Sequence, residues 1–199
     1  GPGRGHYPPE IGSDSRFLSM SELASPGQLR AALLRWSLFL APLCLLIGSF
    51  VGRVAGSGAN NAWFMGLEKP AIYPPPVTFG IVWTILYLMM GVALAMIVTA
   101  RGAPGRGVAI GVFVAQFLLN LAWSPVFFGM HQLQNALYLL IAIDVAVLVT
   151  VYLFWKVRPL AAWLLLPYLA WVLFATVLNW QFVAANPEAA AGIEVAMAS

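Results

Sequence analysis

Gln116, Asn120, Trp123 and Phe127 fall at i, i+4, i+7 and i+11 of one apolar run, which sets two amides and two aromatic rings on a single helical face. Amides in apolar surroundings need hydrogen-bond partners, and the rings beside them offer flat surface. The pattern therefore marks a face that turns inward, toward partner groups or a ligand. Trp83, Tyr87, Met90 and Leu94 repeat the spacing in a second run, and Tyr168, Trp171, Ala175, Leu178 and Phe182 repeat it in a third. The same stripes also describe an ordinary bundle interior, where aromatics fill volume and amides bond between helices. On spacing alone both readings stand.

Other chemistries are excluded more firmly. Cys44 is the only cysteine, so an intrachain disulfide or a CxxC redox pair cannot form. His6 and His131 have no second imidazole or carboxylate at ligand spacing, so no metal site and no required cofactor are expected. Asp144 is the one acid inside the apolar runs. A charge near a bilayer centre costs about 2.5–3.5 kcal/mol, so this residue must face protein or water, or carry a proton. By helical phase it lies opposite Asn135 and away from the amide stripe, and a contact with a neighbouring helix and a proton relay both fit it.

The elements that must position these side chains are helices. Between Arg35 and Glu188 lie five apolar stretches, Trp36–Gly52, Pro70–Ala100, Gly107–Met130, Gln132–Trp155 and Pro159–Pro187, of which only the fourth is broken, by Asp144. A bilayer core needs about 20 apolar residues of helix, and the stretches do not alternate as barrel strands do. The fold class is therefore all-α, an integral membrane bundle of five transmembrane helices in a lipid bilayer. Spans are expected at about 31–54, 77–100, 107–129, 132–155 and 159–184, forming a domain over 31–187 with a lid loop at 55–76. Residues 1–30 read as a polar leader, of which 1–19 precede Met20 and are expected to be an appended remnant, and 188–199 as a tail. No apolar segment before the first span reads as a cleaved signal peptide.

With 61% hydrophobic and 9% charged residues, the chain would make an insoluble globule but an ordinary membrane domain. A pI near 9.3 suggests nucleic acid, yet the basic residues flank the spans instead of clustering, so no nucleic-acid partner is expected. Arg4, Arg16, Arg30, Arg35, Arg101, Arg106, Lys156 and Arg158 share one side if the spans alternate, against Arg53 and Lys69 on the other. The positive-inside rule then places the N-terminus in the cytoplasm if the membrane is a bacterial inner membrane.

The 53–76 segment carries Trp63 to Pro70 and then Pro74, Pro75 and Pro76. Triple proline is stiff and extended, so Lys69, Pro70, Pro74, Pro75 and Pro76 suit a strap over the bundle mouth, although a plain connector is the alternative. Gly107, Gly111 and Ala115 are spaced four apart, as are Gly48 and Gly52, and such faces let helices approach closely. The first set is read either as a homodimer interface or as tight packing within one protomer.

These residues closely resemble the translocator protein family, also called tryptophan-rich sensory proteins or peripheral-type benzodiazepine receptors. The likeness runs from about Trp36 to Asn186. It rests on Trp63-Phe64-Met65-Gly66-Leu67-Glu68-Lys69-Pro70 with Pro74-Pro75, on Trp83-Thr84-Ile85-Leu86-Tyr87 with Met90-Gly91, on Gln116 through Gly129, and on Pro159-Leu160-Ala161-Ala162, Pro167-Tyr168-Leu169-Ala170-Trp171 and Leu178-Asn179. The resemblance implies a five-helix bundle, often dimeric. It also implies a pocket for protoporphyrin IX and other tetrapyrroles, for isoquinoline-carboxamide and benzodiazepine drugs, and in some members for cholesterol. Its ligand-binding positions fall on Phe64, Trp83, Tyr87, Asn120, Trp123, Trp171 and Ala175.

Lys69 or Arg53 at the mouth would then meet the porphyrin carboxylates, and the absence of histidine from every span favours metal-free porphyrin over haem. Some bacterial members are reported to degrade protoporphyrin in light, which makes Trp83 and Trp171 catalytic if this chain is an enzyme. Ile72, Val77 and Asn135 stand where relatives often carry aromatics, so the mouth is less aromatic than usual. The cholesterol pattern at the end of the fifth span is broken at Trp180 and Ala184. Three functions remain: a tetrapyrrole-binding sensor or receptor that also takes hydrophobic small molecules, a light-dependent porphyrin-degrading enzyme, and a transporter. The last lacks any clear internal repeat or coupling-ion site.

Overall fold

The computed structural model describes residues 25–192, so the expected 1–19 remnant and the last part of the tail lie outside the described residues. Five long helices run up and down: α1 Pro26–Val54, α3 Pro76–Val98, α4 Arg106–Ser124, α5 Leu133–Val157 and α6 Pro159–Ala185. Two single-turn helices, α2 Ala62–Met65 and α7 Pro187–Ala190, lie in the connection after α1 and after α6. All five long elements, counting α4 with its continuation to Gly129, are long and apolar enough to cross a membrane. The chain is an integral, multi-pass membrane protein.

Helix α1 starts five residues before its expected span. Ser25 and Gln28 form a reciprocal capping box around Pro26, the Ser25 N–H donating to Gln28 Oε1 at 2.9 Å and the Gln28 N–H to Ser25 Oγ at 3.2 Å. Residues 26–30, expected in the leader, are thus the first turn of the first span.

The end of the third span also departs from expectation. Pro125 has no N–H for the α ladder, and Pro125–Gly129 winds as a π turn, closed by Met130 N–H donating to the Pro125 carbonyl at 2.8 Å. The triple proline is not wholly strap either. Pro75 caps α3 and Pro76 is its first residue, where a missing N–H costs nothing.

Around the bundle, α1 packs on α3, α3 on α6, α6 on α5 and α5 on α4, with α4 closing against α3 and α1. Helices α1 and α3 approach each other closely at two glycines. A Cβ on Gly91 would overlap the backbone of Leu40 and Ala41, and one on Gly48 would overlap the Tyr87 ring. The main core lies at the basic end and middle of the bundle, around Met90, Phe113, Ile143, Phe154 and Tyr168. A second cluster under the lid joins Phe64, Leu67, Phe127, Phe128, Leu133, Leu178 and Phe182. Between the two lies the cavity.

Candidate functional site

A cavity of about 430 Å³ opens under the lid, walled by α1, α3, α4 with its π turn, α6 and Leu140 of α5. That volume falls in the range of small-molecule sites. All seven positions Phe64, Trp83, Tyr87, Asn120, Trp123, Trp171 and Ala175 line it. They come from four elements distant in sequence, so the helical stripes of the sequence converge on one space. Gln116, on the same stripe as Asn120, does not line the cavity. It is 1% exposed and accepts the Tyr168 hydroxyl at 2.9 Å in the core below.

The wall is aromatic and uncharged. Trp83 stacks on Tyr87 at 5.3 Å, Trp123 stacks on Phe127 at 4.8 Å, and Phe79 meets Trp171 edge-on at 5.8 Å. Among the described residues no charged side chain lines the space. Its polar groups are amides and hydroxyls, several of them already committed. Trp123 donates its indole N–H to Asn179 Oδ1 at 3.2 Å, Asn179 Nδ2 donates to the Leu133 carbonyl at 3.1 Å, and Thr84 donates to its own helix at Gly80. Asn120 Nδ2 makes a long contact of 3.4 Å to the Tyr87 oxygen, which leaves the Tyr87 proton for a ligand. The surfaces this lining offers are the flat faces of aromatic rings and the Tyr87 hydroxyl.

The lid is fastened to the bundle at two points and braced internally at a third. Asn61 accepts the Phe64 N–H at 3.0 Å, capping α2, while its Nδ2 donates to the carbonyls of Gly56 at 3.1 Å and Phe128 at 3.2 Å. The Glu68 N–H donates to Asn186 Oδ1 at 2.8 Å, and Asn186 Nδ2 returns a bond to the Glu68 carbonyl at 3.0 Å. Lys69 Nζ donates to the carbonyls of Phe64 at 2.6 Å and Leu67 at 2.8 Å and lies 4.4 Å from the centre of the Phe64 ring.

Lys69 is therefore bound up within the lid and does not face the cavity, contrary to the carboxylate-binding role expected of it. Burial pulls its pKa below the ordinary lysine value against the opposing charge of Glu68. Arg53 is exposed at the end of α1 and does not line the cavity either. Of the strap prolines only Pro76 lines the space, while the Pro70 carbonyl accepts the Tyr73 N–H at 3.0 Å. The Tyr73 phenol, pushed up by burial, packs on Phe64, Phe79 and Phe182. His131 holds a left-handed backbone at φ 57° and stacks on Trp63 at 4.3 Å, outside the cavity.

Sequence reasoning missed Asn179, Tyr73, Phe79 and the latching amides Asn61 and Asn186. Asn179 was findable, since it lies four residues past Ala175 on the stripe of α6. Gly107, Gly111 and Ala115 are exposed, and a Cβ on either glycine meets nothing within 4 Å. Among the described residues nothing packs against the two glycines on that face.

Comparison with known proteins agrees with this architecture. The TspO/MBR family pattern matches residues 40–184. The chain belongs to the TspO/MBR family. It is 39% identical to the translocator protein of Homo sapiens over 136 residues, 67% of this chain and 80% of that relative. It is 38% identical to the tryptophan-rich protein TspO of Chlorobaculum tepidum over 147 residues, 73% of this chain and 92% of the relative. With the tryptophan-rich sensory protein of Cereibacter sphaeroides it shares 34% identity over 162 residues, 78% and 98% of the two chains. The TspO/MBR match spans α1 from Leu40 to nearly the end of α6 and so contains every cavity-lining residue.

Proposed function

We propose that this TspO/MBR protein is a membrane sensor or receptor that binds tetrapyrroles of the protoporphyrin IX type, and that the same cavity takes benzodiazepine-type and isoquinoline-carboxamide ligands. The observation that carries the reading is the convergence of Phe64, Trp83, Tyr87, Trp123 and Trp171 around one uncharged space under a latched lid. A planar macrocycle offers π-faces to those rings and accepts from Tyr87. Its carboxylates then extend through the mouth toward water, since Lys69 is held by the lid carbonyls. We propose also that the exposed Gly107, Gly111 and Ala115 face forms a homodimer, and that the N-terminus is cytoplasmic where the membrane is a bacterial inner membrane.

The test is purified protein in nanodiscs titrated with protoporphyrin IX, in light and in darkness, followed for tryptophan quenching and for product. Saturable quenching without product supports a receptor. Quenching with light-dependent product converts the reading to a porphyrin-degrading enzyme, in which Trp83 and Trp171 are the candidate reacting groups. Absence of saturable quenching overturns both.

A further inference from the structure

Asp144 belongs to no part of the cavity, yet it occupies the middle of α5 and its surroundings are specific. Its Oδ2 lies 2.6 Å from Thr176 Oγ1 on α6, and Thr176 Oγ1 lies 2.9 Å from the Val172 carbonyl one turn below. Its Oδ1 is buried and has no hydrogen-bond partner. Thr176 owns one hydroxyl proton and has two acceptors within range, so both contacts are full hydrogen bonds at once only if the carboxyl supplies the second proton.

Among the described residues no cation pairs with the group. Helices α3 and α6 contain no charged residue, and the only one on α4 is Arg106, whose guanidinium donates to the Val98 carbonyl at 2.7 Å at the far end of the bundle. On α5 itself Lys156 is twelve residues away, roughly 18 Å along the axis. The titratable group facing the same seam from α6 is the Tyr168 phenol, already donated to Gln116. Glu188 of α7, which also packs on α5, is exposed beyond its opposite end. A carboxylate with one hydrogen bond, an orphaned buried oxygen and no counter-ion is far costlier in hydrocarbon than a neutral acid whose carbonyl lacks a donor.

We infer that Asp144 is a membrane-embedded carboxylic acid that holds its proton at neutral pH and donates it to Thr176, bonding α5 to α6. The acid is a positioning residue, not a ligand contact. Leu140 lies one turn before it on α5 and Ala175 immediately precedes Thr176, and both line the cavity, so the bond sets the spacing of that wall. The inference stands whatever the cavity binds.

Infrared spectroscopy of the whole protein in nanodiscs at neutral pH tests it without any ligand. The wild type should show a protonated-carboxyl carbonyl band that is absent from Asp144→Asn, whose amide keeps a donor toward Thr176. Thr176→Val should keep the band but move it to higher frequency, since its hydrogen bond is lost, and Thr176→Ser should return it to the wild-type position. A wild type without the band, or a band that survives in Asp144→Asn, overturns the inference. A band unmoved by Thr176→Val overturns the assigned partner. Circular dichroism on each variant confirms that helix content is unchanged.

Discussion

Asn179 accepts the indole proton of Trp123 at 3.2 Å and passes a bond on to the Leu133 carbonyl at 3.1 Å, so one side-chain amide joins α6 to α4 and α5 at the cavity wall. Asn179 is 2% exposed, so its amide has these two protein partners in place of solvent. Asn179→Leu would strand a buried donor, a cost of about 1–3 kcal/mol. Thermal unfolding in detergent should begin several degrees lower, with a change in tryptophan emission. An unaltered midpoint would show that Trp123 finds another acceptor.

Two glycines should respond differently to the same added methyl. Gly91→Ala meets the backbone of Ala41, which cannot move alone, so the substitution should lower bundle stability by about 1–3 kcal/mol, read as a fall in thermal midpoint. Gly48→Ala meets first the far end of the Tyr87 ring, a side chain that borders the cavity and can swing into it. Stability should hold while protoporphyrin affinity drops roughly tenfold, equivalent to about 1.4 kcal/mol. A titration that finds both variants binding as wild type would contradict the second half.

Trp83→Phe combined with Trp171→Phe keeps bulk but removes two indoles from the wall. Helicity by circular dichroism should stay unchanged, protoporphyrin quenching should weaken, and any light-dependent product should disappear. Turnover at the wild-type rate in the double variant would exclude these indoles from the chemistry.

The lid latch can be opened from its far side. Asn186→Ala removes both bonds to the Glu68 backbone, and Pro74→Ser with Pro75→Ser returns conformational freedom of about 0.4–1 kcal/mol per residue to the loop. Each change should raise the porphyrin dissociation rate, the combination by roughly tenfold, with little effect on helix stability. Stopped-flow dissociation on the variants measures this, and equal rates would make the segment a connector only.

Gly111→Leu adds a side chain where the protomer presents empty surface, so the fold should be unaffected. If the Gly107–Gly111–Ala115 face forms the homodimer, light scattering in detergent should report a shift from dimer toward monomer.

The five spans were legible because lipid demands long charge-free helices, and the cavity wall was legible because residues at i, i+4 and i+7 must share a face whatever they touch. Asn61, Lys69 and Asn186 were not legible, for a physical reason. Their partners are backbone carbonyls and amides, which every residue carries, and the Asn186 bond closes across 118 positions. Lys69 misled in the same way, since a lysine at a mouth reads as free charge until the carbonyls it caps are seen. The early start of α1 was written in Ser25 and Gln28 but hidden by the polarity of its first turn.

In a regular α-helix two consecutive residues diverge by about 100°, so Phe127 and Phe128 would not both turn inward. Both are buried and both line the cavity, because the π turn beginning at Pro125 holds one residue more than an α turn. Deleting a single residue between Val126 and Gly129 would let the ladder close regularly and rotate one ring out toward lipid. The same deletion would withdraw the Phe128 carbonyl from Asn61. At this turn the chain tolerates a change of side chain more readily than a change of length.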